Sequence, residues 1–250
     1  MSTGIFITAR LGSTRLRQKH LIKVDGLTFL EWLLKRMESE FISELESNQA
    51  KIFITTSTKT ENKRFEDFSG QHVEVFYGSD DNIPLRHLQC AQAHGIENII
   101  AIDGDDILCS PTAARLVLNE LISNRPIAKS MGLPLGMNVM GYKSEFLARA
   151  LTNKMDKTLE TGWGKIFDIE QCQNVIMTSQ PSYESLRMTL DYEKDAVFFE
   201  TTIKSLGKQI LLLKDEDLIR HILSHGWNSI NEKLNDEYWS NFNKQKNDEN

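Results

Sequence analysis

The chain has few cysteines, few prolines and no long apolar run, and these scarcities exclude several classes of protein. Its 250 residues include three cysteines, an odd number spaced far apart, so neither a disulfide framework nor a cysteine-rich zinc site is expected. No apolar run approaches the roughly 18 residues of a membrane-spanning helix. The apolar stretch at the start is too short for a secretory signal. We therefore expect a cytoplasmic protein without a membrane partner.

Positive charge is also scarce, and what there is of it is unevenly distributed. Lysine and arginine number 29 against 35 aspartates and glutamates, a net charge of −6, which argues against a nucleic-acid partner. Between Arg10 and Lys23, however, there are five cations and no carboxylate. Such a local positive patch on an acidic protein indicates a small polyanionic ligand.

Strand and helix patterns alternate through the first 125 residues. Apolar strands are predicted at 5–9, 51–56, 73–76 and 98–102. Helices are predicted at 27–37, 60–68, 84–94 and from Pro111 to about 123, with Ser110 as the N-cap. This alternation predicts a three-layer α/β/α fold with a mainly parallel mixed sheet. Ligands of such sheets bind beyond the carboxyl ends of the strands.

The second half of the chain is less regular. Strands are predicted at 136–142, 186–190 and 209–213, and helices at 144–153, shortly after Glu160, at 193–206 and at 215–225. We expect a single domain over residues 1–235. Residues 135–180 are a candidate dimerisation or sugar-binding subregion, and 236–250 are expected to form a frayed polar tail.

The loop Gly12-Ser-Thr-Arg-Leu-Arg-Gln-Lys19 after the first strand is the strongest functional signal. Glycine frees the backbone, hydroxyl and amide groups can cap phosphate oxygens, and the cations can neutralise a triphosphate. The loop matches neither a Walker A sequence nor a dinucleotide fingerprint. The alternative interpretation is an exposed polar loop with basic residues placed by chance.

The acidic turn Asp103-Gly-Asp105-Asp106 after the strand at 98–102 is the second signal. Three carboxylates this close repel one another unless a cation relieves them. Mg²⁺ suits such oxygen ligands, and it usually takes one or two carboxylates plus substrate phosphates. The alternative is an acidic turn in water. Asp191, after the predicted strand 186–190, gains a role if it faces Asp105; otherwise it caps the helix that follows.

Several segments resemble the cytidylyltransferases of the spore-coat polysaccharide and acylneuraminate type, which include CMP-sialic acid and CMP-Kdo synthetases. Ile7-Thr-Ala-Arg-Leu-Gly-Ser-Thr-Arg-Leu16, followed by Lys19, is similar to the family's opening segment. Tyr77-Gly-Ser-Asp-Asp81, Ile102-Asp-Gly-Asp-Asp106 and Met188-Thr-Leu-Asp191 resemble later segments in the same order. The chain departs from the family where Arg17-Gln18 replaces the usual Pro-Gly.

The resemblance implies a Rossmann-like nucleotidyltransferase fold of the GT-A-like kind. It also implies a CTP-dependent enzyme that activates a sugar acid of the 3-deoxy-2-keto or nonulosonic type and releases pyrophosphate. Separately from the resemblance, the less regular residues 135–180 make a homodimer one candidate assembly. The implied catalytic residues are Arg15, Lys19 and Asp105, and the implied Mg²⁺ ligands are Asp105 and Asp191. The implied nucleotide-binding residues are Arg10, Gly12, Ser13, Arg15, Lys19, Ser79 and Asp103.

Two other functions remain open at the level of sequence. Asp103-Gly-Asp105 is also the D-x-D motif of glycosyltransferases, although such enzymes have less use for a basic loop after the first strand. A nucleotide-binding protein without catalysis is the other alternative. The arginine that would hold a substrate carboxylate is equally open, with Arg86, Arg149 and Arg187 as candidates.

Overall fold

A mixed, mainly parallel sheet lies at the centre of the fold. The structure is a computed structural model that describes residues 2–178 and 183–248. The strands are β1 (Thr3–Thr8), β2 (Lys23–Val24), β3 (Leu27–Thr28), β4 (Ala50–Ser57), β5 (Val73–Gly78), β6 (Asn98–Asp103), β7 (Ile127–Met131), β8 (Met140–Lys143) and β9 (Cys172–Ile176). The helices are α1 (Phe29–Glu46), α2 (Ile83–His94), α3 (Pro111–Ile122), α4 (Ser144–Ala150), α5 (Glu193–Leu206), α6 (Asp215–Ser224) and α7 (Asn235–Asp248).

Seven of the described strands form the central sheet in the order β5-β4-β1-β6-β8-β7-β9. β5, β4, β1 and β6 are parallel to one another, β8 is antiparallel to both β6 and β7, and β9 is parallel to β7. β2 and β3 form a separate antiparallel hairpin. The predicted α/β class with a mainly parallel mixed sheet is confirmed.

Two apolar cores cover the two faces of the sheet. Side chains of β1 alternate between them, as a strand requires: Ile5 and Ile7 pack with α1, α3, α5 and α6, whereas Phe6 packs with α2 and α4. These helices bury their apolar faces against the sheet and so give the three layers that the sequence predicts.

The starts of the helices follow from local capping. Thr28 and Glu31 form a capping box at α1, and the Asn82 side chain caps α2. Ser110 accepts a hydrogen bond from the Ala113 amide, and Pro111 is the first residue of α3. The predicted helix at 193–206 is confirmed residue for residue.

Two predicted strands were wrong, and four observed strands, β2, β3, β7 and β9, were missed. Residues 209–213 were expected as a strand, but Gly207–Leu211 is a 3-10 helix; the run was apolar without the alternation that identifies a half-buried strand. Residues 186–190 are buried but make a single bridge, between Arg187 and Leu135. β7 and β9 are five residues long, and each has two adjacent polar residues, Lys129-Ser130 and Gln173-Asn174, so neither shows the alternation or the apolar run that predicts a strand.

The end of the chain also differs from expectation. Residues 236–248 were expected to fray, but they belong to α7. Asn235, Tyr238, Asn241 and Phe242 are partly buried at helical spacing. Aromatic side chains in an otherwise polar run thus dock the helix. Residues 249 and 250 lie outside the described residues, as do 179 and 180 of the candidate subregion, whose role in dimerisation or sugar binding stays a prediction.

A membrane crossing is not indicated by the helices. Among residues 2–178 and 183–248, no helix is both long enough and apolar enough to cross a membrane.

Gly136 provides a test of how the segment before Asp191 is placed. Its φ is +90°, and a β-carbon there would overlap the backbone carbonyl of Met188. Gly26 has a similar φ of +84° with open space around it. We expect Gly26→Ala to lower the free energy of unfolding by about 1 kcal/mol, the cost of the left-handed backbone alone, and Gly136→Ala by about 3 kcal/mol. Urea denaturation measures both, and equal losses would contradict the close approach at Gly136.

Candidate active site

The two predicted loops meet at the carboxyl ends of β1 and β6. Thr8 and Asp103, the last residues of these neighbouring strands, are register partners. The Gly104 amide donates a 2.8 Å hydrogen bond to the Thr8 carbonyl, and a β-carbon at Gly104 would come within 2.9 Å of that oxygen. The absence of a side chain therefore lets the acidic turn lie against the start of the basic loop.

Lys19 lies at the centre of the cleft and contacts two of the predicted carboxylates. Its Nζ is 2.5 Å from Asp105 Oδ2 and 3.2 Å from Asp191 Oδ1. The side chain is 6% exposed. Burial disfavours the charged ammonium, but Asp105 and Asp191 outweigh it and raise the pKa of Lys19. Asp191 therefore does face Asp105, which was the condition for assigning it a role.

Asp191 receives two further cations. Arg15 Nη2 donates to Asp191 Oδ1 at 2.9 Å, and Arg187 Nη2 donates to Oδ2 at 3.2 Å. Burial opposes ionisation of Asp191, yet Lys19, Arg15 and Arg187 together lower its pKa. The carboxylate is therefore charged at neutral pH, although it is almost fully buried.

A buried ion pair fixes the position of Asp191. Arg187 and Asp195 are paired by two hydrogen bonds, Nε to Oδ1 at 2.8 Å and Nη2 to Oδ2 at 2.9 Å. Asp195 Oδ2 also accepts from the backbone amides of Asp191 and Tyr192, at 3.0 Å each. Asp195, and not Asp191, therefore satisfies the amides at the start of α5.

Carboxylate crowding is evident in the acidic turn. The Asp103 side chain is open to the cleft. Desolvation by the surrounding protein, with the charge of Asp105, raises the pKa of Asp103 to about 7. Desolvation, with the charges of Asp103 and Asp105, raises the pKa of Asp106 as well. His20 Nε2 lies 3.4 Å from Asp105 Oδ1, and burial lowers the pKa of His20 to about 4, so the imidazole is neutral at pH 7.

All but one of the predicted site residues line this cleft: Arg10, Gly12, Ser13, Arg15, Lys19, Asp103, Asp105 and Asp191. Arg10 Nη1 pairs with Glu160 Oε2 at 2.5 Å across the cleft. Gln18, where the family has glycine, has a φ of 51°, in the left-handed region that glycine favours. The basic loop thus keeps a turn at the substituted position.

Ser79 is the predicted residue that this cleft does not include. It lies in a neighbouring shallow groove with Tyr77 and Gln89. Its carbonyl accepts a 2.8 Å hydrogen bond from Arg86 Nε, and the Asp80 carbonyl accepts one from Nη2 at 3.1 Å. The contribution of Ser79 to the cleft is therefore to position Arg86, which does line it.

The three arginines considered for a substrate carboxylate have different surroundings. Arg86 lines the cleft, and burial lowers its pKa to about 10. The Arg149 side chain is 63% exposed on α4 and lies near Glu145. Arg187 is fully buried in its pair with Asp195. Of the three, Arg86 is the one placed to meet a ligand.

Several lining residues were not predicted from the sequence, among them Glu160, Thr189, Tyr238 and Phe242. Tyr238 and Phe242 did carry a signal, since they are aromatic residues four positions apart in a polar segment. Trp163 lines the cleft as well as packing on His87, with ring centroids 5.8 Å apart, so it serves both uses that the sequence allows.

A metal ion in this cleft would need coordinating atoms beyond those of the protein side chains. Among the residues that the structure describes, no group of three or more histidine, cysteine, aspartate or glutamate side chains is arranged to hold a metal ion. Asp105 and Asp191 offer two oxygens around one ammonium, so a metal bound to them would take its remaining ligands from water or substrate.

A buried hydrogen-bonded chain lies beneath the cleft. Thr8 Oγ1 is 2.8 Å from His87 Nε2, and His87 Nδ1 is 2.6 Å from the Tyr142 hydroxyl. Burial, followed by the charge of Arg86, lowers the pKa of His87 to about 3. A neutral imidazole therefore connects β1 to β8 through α2.

The pH dependence of stability tests this environment of His87. The unfolded imidazole takes up a proton below its ordinary pKa of about 6.5, whereas the folded one resists protonation down to about pH 3. Stability must then fall as the pH is lowered, by about 2 kcal/mol from this residue between pH 6.5 and 4.5. We expect His87→Gln to reduce that pH-dependent loss by this amount in urea denaturation. Exposed His225→Gln is the control, and a slope that His87→Gln leaves unchanged would contradict the assignment.

The sequence is similar to a known protein family and to a protein of another organism. The family model for cytidylyltransferases matches residues 5–226. An uncharacterized protein of Methanocaldococcus jannaschii is 27% identical over 195 residues, which cover 76% of this chain and 78% of that protein.

Solved structures with the same fold are more distant in sequence. A cytidylyltransferase from Leptospira borgpetersenii has a TM-score of 0.74 at 21% identity, with 92% of this chain and 96% of that chain covered. A CMP:2-keto-3-deoxy-manno-octonic acid synthetase complexed with CTP has a TM-score of 0.57 at 11% identity, covering 82% and 99%. The 4-diphosphocytidyl-2C-methyl-D-erythritol synthase of Anaerococcus prevotii has 0.55 at 12%, covering 81% and 96%. These likenesses establish the fold.

Proposed function

Because the chain belongs to the cytidylyltransferase family of nucleotidyltransferases, we propose that it transfers CMP from CTP to a sugar acid of the 3-deoxy-2-keto or nonulosonic type and releases pyrophosphate. The observation that carries this proposal is the cluster of Lys19, Asp105 and Asp191, with Arg15 on the same cleft. The sugar acid is suggested by the similar fold of the CMP:2-keto-3-deoxy-manno-octonic acid synthetase.

The basic loop is suited to the triphosphate. Arg10, Gly12, Ser13 and Arg15 line the cleft beside Lys19, and guanidinium groups pair well with phosphate oxygens. Arg10 is paired with Glu160 and half exposed, so a phosphate can compete for its free side. In this proposal Arg15 and Lys19 offset the charge that develops on the β- and γ-phosphates during transfer.

Asp105 and Asp191 are the residues that we propose to hold Mg²⁺. The fit rests on geometry: both carboxylates reach the same buried ammonium, and Asp103 and Asp106 line the same cleft beside them. When bound, the ion would supply charge neutralisation at the α-phosphate. Asp105 and Asp191 would then release Lys19 toward the phosphates.

The reaction itself needs mainly positioning and charge stabilisation. A sugar hydroxyl oxygen forms a bond to the α-phosphorus of CTP, the bond from that phosphorus to the bridging oxygen of pyrophosphate breaks, and the hydroxyl proton is lost to solvent or a base. Asp191 is held by Arg187 and the frame of α5, so it can orient the reacting groups without moving. The D-x-D sequence of a glycosyltransferase lies in this same cleft, but the family match over residues 5–226 favours cytidylyl transfer.

A pyrophosphate-release screen tests the proposal. The wild-type chain with Mg²⁺ is crossed with four nucleoside triphosphates and a set of 3-deoxy-2-keto sugar acids and nonulosonic acids. We expect release that requires both CTP and a sugar acid. Release that depends on another triphosphate, or CTP binding without turnover on any sugar acid, would refute the proposed reaction.

Asp105→Asn tests the role of the central carboxylate. The substitution keeps the shape of the side chain but removes the charge that Lys19 and the proposed ion require, so kcat should fall by about 100-fold to 1000-fold. The far-UV circular dichroism should be unchanged. Asp67→Asn, an exposed aspartate outside the cleft, is the matched control and should keep full activity. Near-normal turnover of Asp105→Asn at saturating Mg²⁺ would remove Asp105 from the mechanism.

A further inference from the structure

The helix α7 closes one side of the cleft although it lies outside the family match. The matched region ends at residue 226, and α7 spans Asn235–Asp248. Tyr238, Phe242 and Gln245 nevertheless line the same cleft as Asp191. This chain therefore adds a wall to the cleft from a segment that the family model does not describe.

Specific contacts hold α7 in this position. Asn235 Nδ2 donates to the Ser185 carbonyl at 2.8 Å, and Asn241 Nδ2 donates to the Tyr192 hydroxyl at 3.1 Å. The Cζ atom of Arg187 lies 4.6 Å from the centroid of the Tyr238 ring, a distance typical of a cation–π contact. The helix is thus attached to the residues that position Asp191.

The two faces of α7 differ in exposure. Asp236, Glu237, Trp239 and Ser240 are exposed, whereas Asn235, Tyr238, Asn241 and Phe242 are partly buried. Tyr238 covers Arg187. Phe242, one turn later, is half-buried beside the cleft, so part of its ring remains available to a ligand.

The cleft runs across the sheet from α2 to α7. At one end Arg86 of α2 is held by carbonyls that follow β5. At the other end Tyr238 covers Arg187, which is bridged to Leu135 in the connection between β7 and β8. β5 and β8 lie on opposite sides of β1 in the sheet. The basic loop follows β1 and therefore lies between the two ends, where the proposed function would place the phosphates of the nucleotide.

We propose that Tyr238 and Phe242 form the wall against which the ring of the acceptor sugar packs, so that α7 helps to select the acceptor. This inference rests on the proposed function. Every cytidylyltransferase shares the cytidylyl donor, whereas acceptors differ, so an element outside the shared part is suited to the acceptor. Aromatic faces pack well against the C–H face of a sugar ring. A wall attached to Asp191 also places that ring beside the reacting phosphorus.

The experiment compares Phe242→Leu, which keeps apolar volume but removes the flat ring, with Phe242→Tyr, which keeps the ring. Lys244→Ala, on the exposed side of α7, is the control. CTP affinity is measured by calorimetry with Mg²⁺. Sugar contact is measured by saturation-transfer NMR in the presence of a non-hydrolysable CTP analogue, with 3-deoxy-D-manno-octulosonic acid, N-acetylneuraminic acid and methyl α-D-glucopyranoside as probes.

We expect Phe242→Leu to weaken binding of the contacted sugar by about 5-fold to 10-fold and to change CTP affinity less than 2-fold. Phe242→Tyr should lose less than Phe242→Leu, and Lys244→Ala should match the wild type. Hydrogen exchange of α7 in each variant shows whether the helix is still docked; a docked helix with weakened sugar binding supports the inference.

Other outcomes separate this inference from the proposed function. If no sugar acid yields pyrophosphate, but the neutral pyranoside contacts the wild type and loses affinity in Phe242→Leu, the acceptor class is wrong and the role of α7 stands. If Phe242→Leu weakens CTP instead, α7 is a nucleotide wall and the inference is overturned. It is also overturned if sugar binding in Phe242→Leu equals that of the wild type, or if none of the three probes contacts the wild-type chain.

Discussion

The Lys19 ammonium joins three parts of the chain that are distant in sequence. Its own loop follows β1, Asp105 follows β6, and Asp191 precedes α5, yet both carboxylates lie within hydrogen-bond distance of one nitrogen. An ammonium buried to this extent is stable as a cation because two carboxylates surround it, and it in turn helps to lower the pKa of Asp191. The geometry of the cleft depends on this mutual neutralisation, since removing one member would leave the remaining charges with fewer partners.

A second layer of charge keeps this cluster rigid. Arg187 and Asp195 are both fully buried and joined by two hydrogen bonds. Asn231 Nδ2 donates to Asp195 Oδ1 at 2.8 Å, which satisfies a further lone pair. Asp195 also takes the first amides of α5, so the start of that helix and the position of Asp191 are set together. A site for phosphoryl chemistry benefits from such support, because its residues need not reorganise during reaction.

The part of the fold that follows local rules could be predicted from the sequence. The strands β1, β4 and β6 contain short apolar runs, β5 alternates at its start, and α3 begins at a recognisable serine cap followed by proline. The convergence of the loops after β1 and β6 followed from parallel topology alone. Residues 186–190 alternate apolar and polar side chains as a strand does, yet they make a single bridge. Residues 209–213 are mostly apolar but overlap the 3-10 helix Gly207–Leu211, and Leu212 is 79% exposed.

The site was predictable as far as charge patterns reach. Residues of the basic loop and the acidic turn were identified by their own chemistry, and Asp191 by its place after an apolar run. Arg187 and Asp195 act through long-range pairing that no local pattern shows. Glu160 reaches the cleft from a segment whose spacing gives no functional signal. The spacing of Tyr238 and Phe242 indicates a buried helix face but not that this face borders the cleft, so the tertiary structure is needed to place them there.

The cover that Tyr238 provides over Arg187 reaches beyond the shape of the cleft. A shortened version of the chain that stops where its family match stops would retain every charged residue that lines the cleft, yet it would admit water to the guanidinium under that ring. Water would weaken the electrostatic attraction between Arg187 and Asp191 by raising the local dielectric constant. In that shortened chain the Asp191 carboxylate would be more hydrated and less firmly held than in the full chain.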